Sequence, residues 1–149
     1  MTRYFLESSA FAKLFVLEQG SVPLIQLLET AEDAHKLVSS LAALEVRSAV
    51  RRREREGDIS PADASRTLDA VEAEVLRIVE HPVSPAVLDV AKLVLDTHPL
   101  RAMDALHLAT CLTIRDKLHE SDVCFVSADN ALLRAAALEK FAVLNPLTI

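Results

Sequence analysis

Short β-rich runs alternate with helical stretches from one end of this chain to the other, and that alternation limits the possible folds more than any other feature. The sequence predicts strands at 3–6 (RYFL), 35–40 (HKLVSS), 76–83 (LRIVEHPV), 123–126 (VCFV) and 141–145 (FAVLN). Between them lie helical patterns at 10–19, 21–32, 41–56, 61–75, 86–98, 100–120 and 131–140. Punctuation supports these boundaries. Ser8 or Ser9 can cap the first helix, Gly20 breaks the chain before the second, Ser39 or Ser40 can cap the third, and Pro61 and Pro85 each follow a serine at a helix start. Strands separated by helices pair in parallel, because each crossover returns the chain to the same end of the sheet. The expected fold is α/β: a mostly parallel sheet with helices on both faces and right-handed crossovers.

A chain of 149 residues fits one domain, 1–149, long enough to bury a real core. No apolar run approaches the roughly 18–20 residues that span a bilayer, and MTRYFLESSA lacks a signal-peptide pattern, so a cytoplasmic protein without membrane partners is expected. Cys111 and Cys124 have neither CxxC spacing nor a disulfide framework and read as reduced thiols. His107 and Cys111 share a helix face, but two soft ligands without others nearby make a poor zinc site, and both are read as core. The net charge of -6 excludes a generally adhesive nucleic-acid binder. It leaves room for a local basic surface, because Arg47, Arg51, Arg52, Arg53 and Arg55 crowd into little more than two helical turns. That cluster is either a solvated helix end, with cations facing the negative pole of the dipole, or a patch that binds phosphate or a partner.

The stretch 100–113, LRAMDALHLATCLT, follows Pro99 and is apolar on nearly every side, with Asp104 as its only carboxylate. A carboxylate on such a helix needs a partner, since burying it alone is costly. The partner could be the free N–H groups of the first helical turn, Arg101, or a metal ion shared with other acids. Three further acids qualify. Glu7 lies just past the first strand, Asp129 just past the fourth, and Glu45 sits among leucine, alanine and valine early in the third helix. Each has a plainer explanation: Glu7 stabilises a helix start, Asp129 caps one, and Glu45 forms an interior salt bridge with Arg47 or Arg101. In open parallel sheets, however, ligands bind beyond the carboxyl ends of the strands at the switch point of strand order, where all four acids can meet. Carboxylates that meet repel one another unless protonated or bridged, and a hard dication such as Mg2+ or Mn2+ is the usual bridge. Such a cluster suits phosphodiester hydrolysis. No Gly-rich phosphate loop, Ser-His-Asp order or zinc-ligand spacing competes for the role.

Four segments, YFLESSAFAKLFVLEQGS, SSLAALEVRSAVRRR, LRAMDALHLAT and FVSADNALLRAA, occur in this order across essentially the whole chain. Together they resemble the PIN domain, and specifically the VapC-type ribonuclease toxins of bacterial toxin–antitoxin pairs. The resemblance implies a three-layer α/β/α sandwich around four to five short strands and an Mg2+- or Mn2+-dependent endoribonuclease. It also implies an RNA substrate, a homodimer, and a VapB-type antitoxin that crosses the acidic groove and silences it. Carried over by position, Glu45, Asp104 and Asp129 fall on the family's metal-site acids, and Ser9 and Ser127 on the hydroxyls beside them. Arg101 falls where it can contact phosphate or pair with Asp104, and Arg51 and Arg52 can hold the RNA backbone. One position departs from the family pattern: Glu7 stands where the first acid is usually aspartate. The added methylene pushes the carboxylate outward, which loosens an octahedral Mg2+ site or favours Mn2+. The alternative expectation is therefore a weakened or catalytically silent PIN-fold binding module.

Overall fold

A computed structural model describes residues 2–118 and 122–149. The chain runs β1 (Thr2–Leu6), α1 (Ser8–Ala12), α2 (Ser21–Thr30), β2 (Ala34–Ser39), α3 (Ser40–Arg55), α4 (Pro61–Val75), β3 (Val79–His81), α5 (Pro85–Thr97), α6 (Ala102–Leu118), β4 (Val123–Val126), α7 (Asn130–Leu138) and β5 (Ala142–Leu144). The five strands form one sheet in the order β3-β2-β1-β4-β5, and every pair is parallel. The expected α/β architecture is the observed one.

Side-chain alternation along the strands divides the interior in two. Phe5, Leu37, Val123 and Phe125 point to one face and pack with α5, α6 and α7. Leu6, Val38 and Val126 point to the other and pack with α1 to α4. Residues one apart on β1, β2 and β4 thus serve opposite layers, so a one-residue register slip would exchange both cores. Phe5 and Phe125, cross-strand partners on β1 and β4, stack at 5.5 Å in the first layer. Serine caps fix three helix starts: Ser39 accepts from the Leu41 N–H, Ser60 from Asp63 and Ser84 from Val87.

The expected boundaries differ from the observed ones in several places. The helix predicted over 10–19 stops at Ala12, because buried Lys13 reaches Glu18 at 2.9 Å and Ser21 takes the Val16 carbonyl, folding the segment back in turns. Its cap is Glu7 rather than a serine. The strand predicted over 76–83 shrinks to three residues at a sheet edge, with α4 claiming the chain up to Val75 and Pro82 unable to donate. Helix α2 ends at Thr30, α6 starts at Ala102, and β5 loses one residue at each end. The last expected residues of α6, His119 and Glu120, lie outside the described residues.

Strand order reverses at β1: β2 and β3 extend to one side, β4 and β5 to the other. The carboxyl ends of β1 and β4, adjacent in the sheet, therefore frame the crevice in which open α/β sheets bind ligands. Glu7 follows the last residue of β1, and Ser127 follows the last residue of β4.

Candidate functional site

Glu7 enters the crevice directly from β1, with its backbone N–H donating to the Val126 carbonyl across the switch point. It is only 6% exposed. Its Oε2 accepts three hydrogen bonds: the Ser9 backbone N–H at 3.1 Å, the Ser9 hydroxyl at 2.5 Å and the Ser127 hydroxyl at 2.9 Å. Ser9 in turn accepts from the Ala128 N–H, and Ser127 accepts from the Asp129 N–H. Ser9 and Ser127 thus tie the β1 exit to the β4 exit. Among the described residues, Glu7 Oε1 has no such partner.

Asp129 caps α7 through Oδ1, which accepts from the Leu132 N–H at 3.0 Å. The plainer explanation for this residue is realised, yet among the described residues no hydrogen bond reaches its other carboxylate oxygen. Asp104 lies in the first turn of α6, as expected. Its carboxyl is held above the usual aspartate range, first by burial and then by the negative charges of Asp129 and Glu7, with His107 and Arg101 opposing. Three acids from three separate elements therefore share one electrostatic neighbourhood. Arg101 is exposed and acts on Asp104 through space rather than in a close ion pair.

Glu45 is placed differently. Its Oε1 accepts from the Ser8 hydroxyl at 2.7 Å and from His107 Nε2 at 2.5 Å, and the Ser8 oxygen lies 2.9 Å from the same nitrogen. Burial pushes the Glu45 carboxyl up, but the hydrogen bonds from His107 and Ser8 and the charge of His107 outweigh it, so its pKa lies below the usual glutamate value. The partner is neither Arg47, which pairs with Glu72, nor Arg101. His107 stands between the two halves of the site, bonded to Glu45 and felt by Asp104.

Reading His107 as ordinary core overlooked this bond. The signal available was its position three residues after Asp104, which puts both on one face of α6. Ser8 was overlooked because Ser9 fills the adjacent position. Of the arginine cluster, Arg51 pairs with Glu54 within its own helix, Arg53 reaches Glu18, and Arg52 is exposed in the last turn, where the helix dipole favours a cation. Cys111 and Cys124 are free thiols, raised by burial.

Among the described residues, no group of three or more His, Cys, Asp or Glu side chains converges as a ready-made metal cage. Magnesium does not require one, since it keeps several waters and is bound through one or two carboxylates together with substrate phosphate. The donor set fits that mode: Glu7, Glu45 and Asp129 each have one oxygen anchored by protein donors, and among the described residues the other oxygen is without a hydrogen-bond partner. The mutual repulsion felt by Asp104 is of the kind a dication relieves.

The PIN domain family model matches residues 4–138. No curated protein matches the chain. Its fold is similar to that of a toxin–antitoxin complex from Klebsiella pneumoniae, with 14% identity, a TM-score of 0.68, and 98% of this chain and 99% of that one covered. It is likewise similar to FitAcB from Neisseria gonorrhoeae, with 16% identity, a TM-score of 0.67, and coverage of 98% and 99%. A third similar structure is VapC20 of Mycobacterium tuberculosis, a sarcin-ricin loop cleaving toxin, with 17% identity, a TM-score of 0.66, and coverage of 89% and 94%. No helix among the described residues is long and apolar enough to cross a membrane. By the match across most of its length, the chain belongs to the PIN domain family.

Proposed function

We propose that this protein is a divalent-metal-dependent endoribonuclease, the toxin of a toxin–antitoxin pair, acting in the cytoplasm as a dimer. The observation that carries this reading is the link from Glu7 through Ser127 to Asp129 at the carboxyl ends of β1 and β4, with Asp104 near enough for both charges to act on its carboxyl. Three anions from distant parts of the chain crowd the switch point of a sheet, and a cation lowers their joint energy. Glu7, Asp104 and Asp129, with the unanchored oxygen of Glu45, are the residues that would hold Mg2+ or Mn2+. When bound, the ion supplies an activated water and charge stabilisation at the phosphoryl oxygens.

The chain's own residues do the rest. Ser9 and Ser127 fix the orientation of Glu7 and so compensate for its extra methylene. Arg101, exposed beside Asp104, offers a cation to a phosphate, and Arg51 and Arg52 offer further contacts along α3. A chain of net charge -6 needs such local cations to hold a polyanion. Single-stranded or looped RNA fits best, since its backbone and bases are open to a surface crevice. The fold-level neighbours include a toxin–antitoxin complex, which supports an antitoxin as partner, and a segment of it would lie across the same groove.

The test is cleavage of a structured RNA by the purified chain in Mn2+. Cleavage that disappears with a chelator and in Asp104→Asn supports the reading. Cleavage by Asp104→Asn at the wild-type rate would overturn it. Metal-independent RNA binding with no cleavage by the wild type would favour a silent PIN-fold module.

A further inference from the structure

His107 is fully buried and commits Nε2 to two partners, the carboxylate of Glu45 and the hydroxyl of Ser8. The opposite nitrogen, Nδ1, is buried with no hydrogen-bond partner, and Phe5 stands edge-on to the ring at 6.5 Å. Filling this space is not what selects histidine. A leucine would occupy the position without leaving a buried polar atom unpaired. What a leucine cannot do is place a donor on Glu45. The geometry at that carboxylate is specific: α1 contributes Ser8, α6 contributes His107, and both meet Oε1 of a side chain carried by α3. Among the described residues, no protein donor meets Oε2.

We propose that His107 and Ser8 are positioning residues that hold Glu45 by one oxygen so that the other is presented in a fixed orientation to a divalent cation. This rests on the reading of Glu45 as a metal-site acid. The physical gain is pre-ordering. An unheld glutamate loses its side-chain rotamer freedom when it takes an ion, whereas one already pinned from two sides has lost it on folding. The unpaired Nδ1 is the cost of reaching Glu45 from inside the core.

Mn2+ titration of the metal-free full-length chain by calorimetry, with thermal melts of each variant, tests the proposal. His107→Leu, which keeps bulk and removes the donor, is expected to weaken Mn2+ binding by about 10–100-fold. His107→Gln, which keeps a donor of similar reach, restores most of the affinity. In a Glu45→Gln background, His107→Leu and Ser8→Ala cause no further loss, because both act through Glu45 alone. Ser8→Ala by itself weakens binding, and this arm stands should His107→Leu fail to fold.

Wild-type affinity in both His107→Leu and Ser8→Ala overturns the proposal, as does an equal loss from His107→Leu with and without Glu45. If Glu45→Gln loses Mn2+ while His107→Leu and Ser8→Ala do not, this proposal alone fails. If Glu45→Gln binds Mn2+ like the wild type, the ligand reading of Glu45 fails and takes the proposal with it.

Discussion

Shortening Glu7 to aspartate is expected to destabilise the protein, although aspartate has the same charge and is an excellent helix cap. Oε2 of Glu7 receives the Ser9 N–H, the Ser9 hydroxyl and the Ser127 hydroxyl at 3.1, 2.5 and 2.9 Å. Removing one methylene draws the carboxylate back by about 1.5 Å, the length of a C–C bond. Both hydroxyl contacts then exceed hydrogen-bonding range, while an aspartate at the cap position still meets the Ser9 N–H. Two bonds to a buried ionised acceptor are lost, at about 1.5 kcal/mol each, the low end of the range because a hydroxyl can rotate toward other partners. The expected loss is about 3 kcal/mol, which for a chain of this size lowers Tm by roughly 6–12 °C. Thermal melting of metal-free Glu7→Asp followed by circular dichroism measures it. Ser127→Ala costs less in the Glu7→Asp background than in the wild type, since the contact with Glu7 is already gone and only the bond from the Asp129 N–H remains to be lost. A Glu7→Asp protein that melts with the wild type would refute the anchoring of Glu7.

Other expectations follow from the same geometry. Because the Asp104 carboxyl is raised by burial, Asp129 and Glu7, its ionisation disfavours the metal-free fold, and Asp104→Asn is expected to be more stable than the wild type at pH 7. That advantage shrinks as pH falls through the raised folded value and is absent below the ordinary value of 3.8, which paired urea titrations at pH 7 and pH 3.5 measure. The Glu45 carboxyl is shifted the other way: burial raises it, but His107 and Ser8 prevail, so the clamp contributes stability above the ordinary value of 4.5. This contribution is lost as pH falls through the lowered folded value, and Glu45→Gln should flatten that part of the acid stability profile. Gly20→Ala should destabilise, because Gly20 has φ +89° and an added Cβ would stand 2.9 Å from the backbone oxygen of Pro146; a melt matching the wild type would contradict the contact. Arg52→Ala is expected to weaken binding of an uncleaved RNA and reduce its salt slope by about one, and an unchanged slope would remove Arg52 from the phosphate contacts.

The fold was legible because strand and helix periods separate cleanly and serine–proline starts mark helices such as α4 and α5. What the sequence concealed were competitions settled by tertiary contacts. The pattern 10–19 is helical throughout, but Lys13 finds Glu18 and Ser21 finds the Val16 carbonyl, and those bonds end α1 early. The same limit applies in the site. That Glu7 and Asp129 stand within reach of the Asp104 charge could be expected from strand exits and helix starts alone, since those positions are fixed by topology. The partner of Glu45 could not, because it depends on the ring orientation of a histidine on another helix. A lone histidine among leucine and alanine gives no sign of whether its nitrogens are used. Only its three-residue spacing from Asp104 hinted at a shared face.

The account depends most on Glu7, Asp104 and Asp129 sharing one divalent ion. Anomalous diffraction from a crystal of the protein grown with Mn2+ locates that ion directly. A manganese peak bounded by these three carboxylates, with the second oxygen of Glu45 facing it, is the predicted result. A map with manganese elsewhere, or with none in the crevice at saturating concentration, would contradict the account.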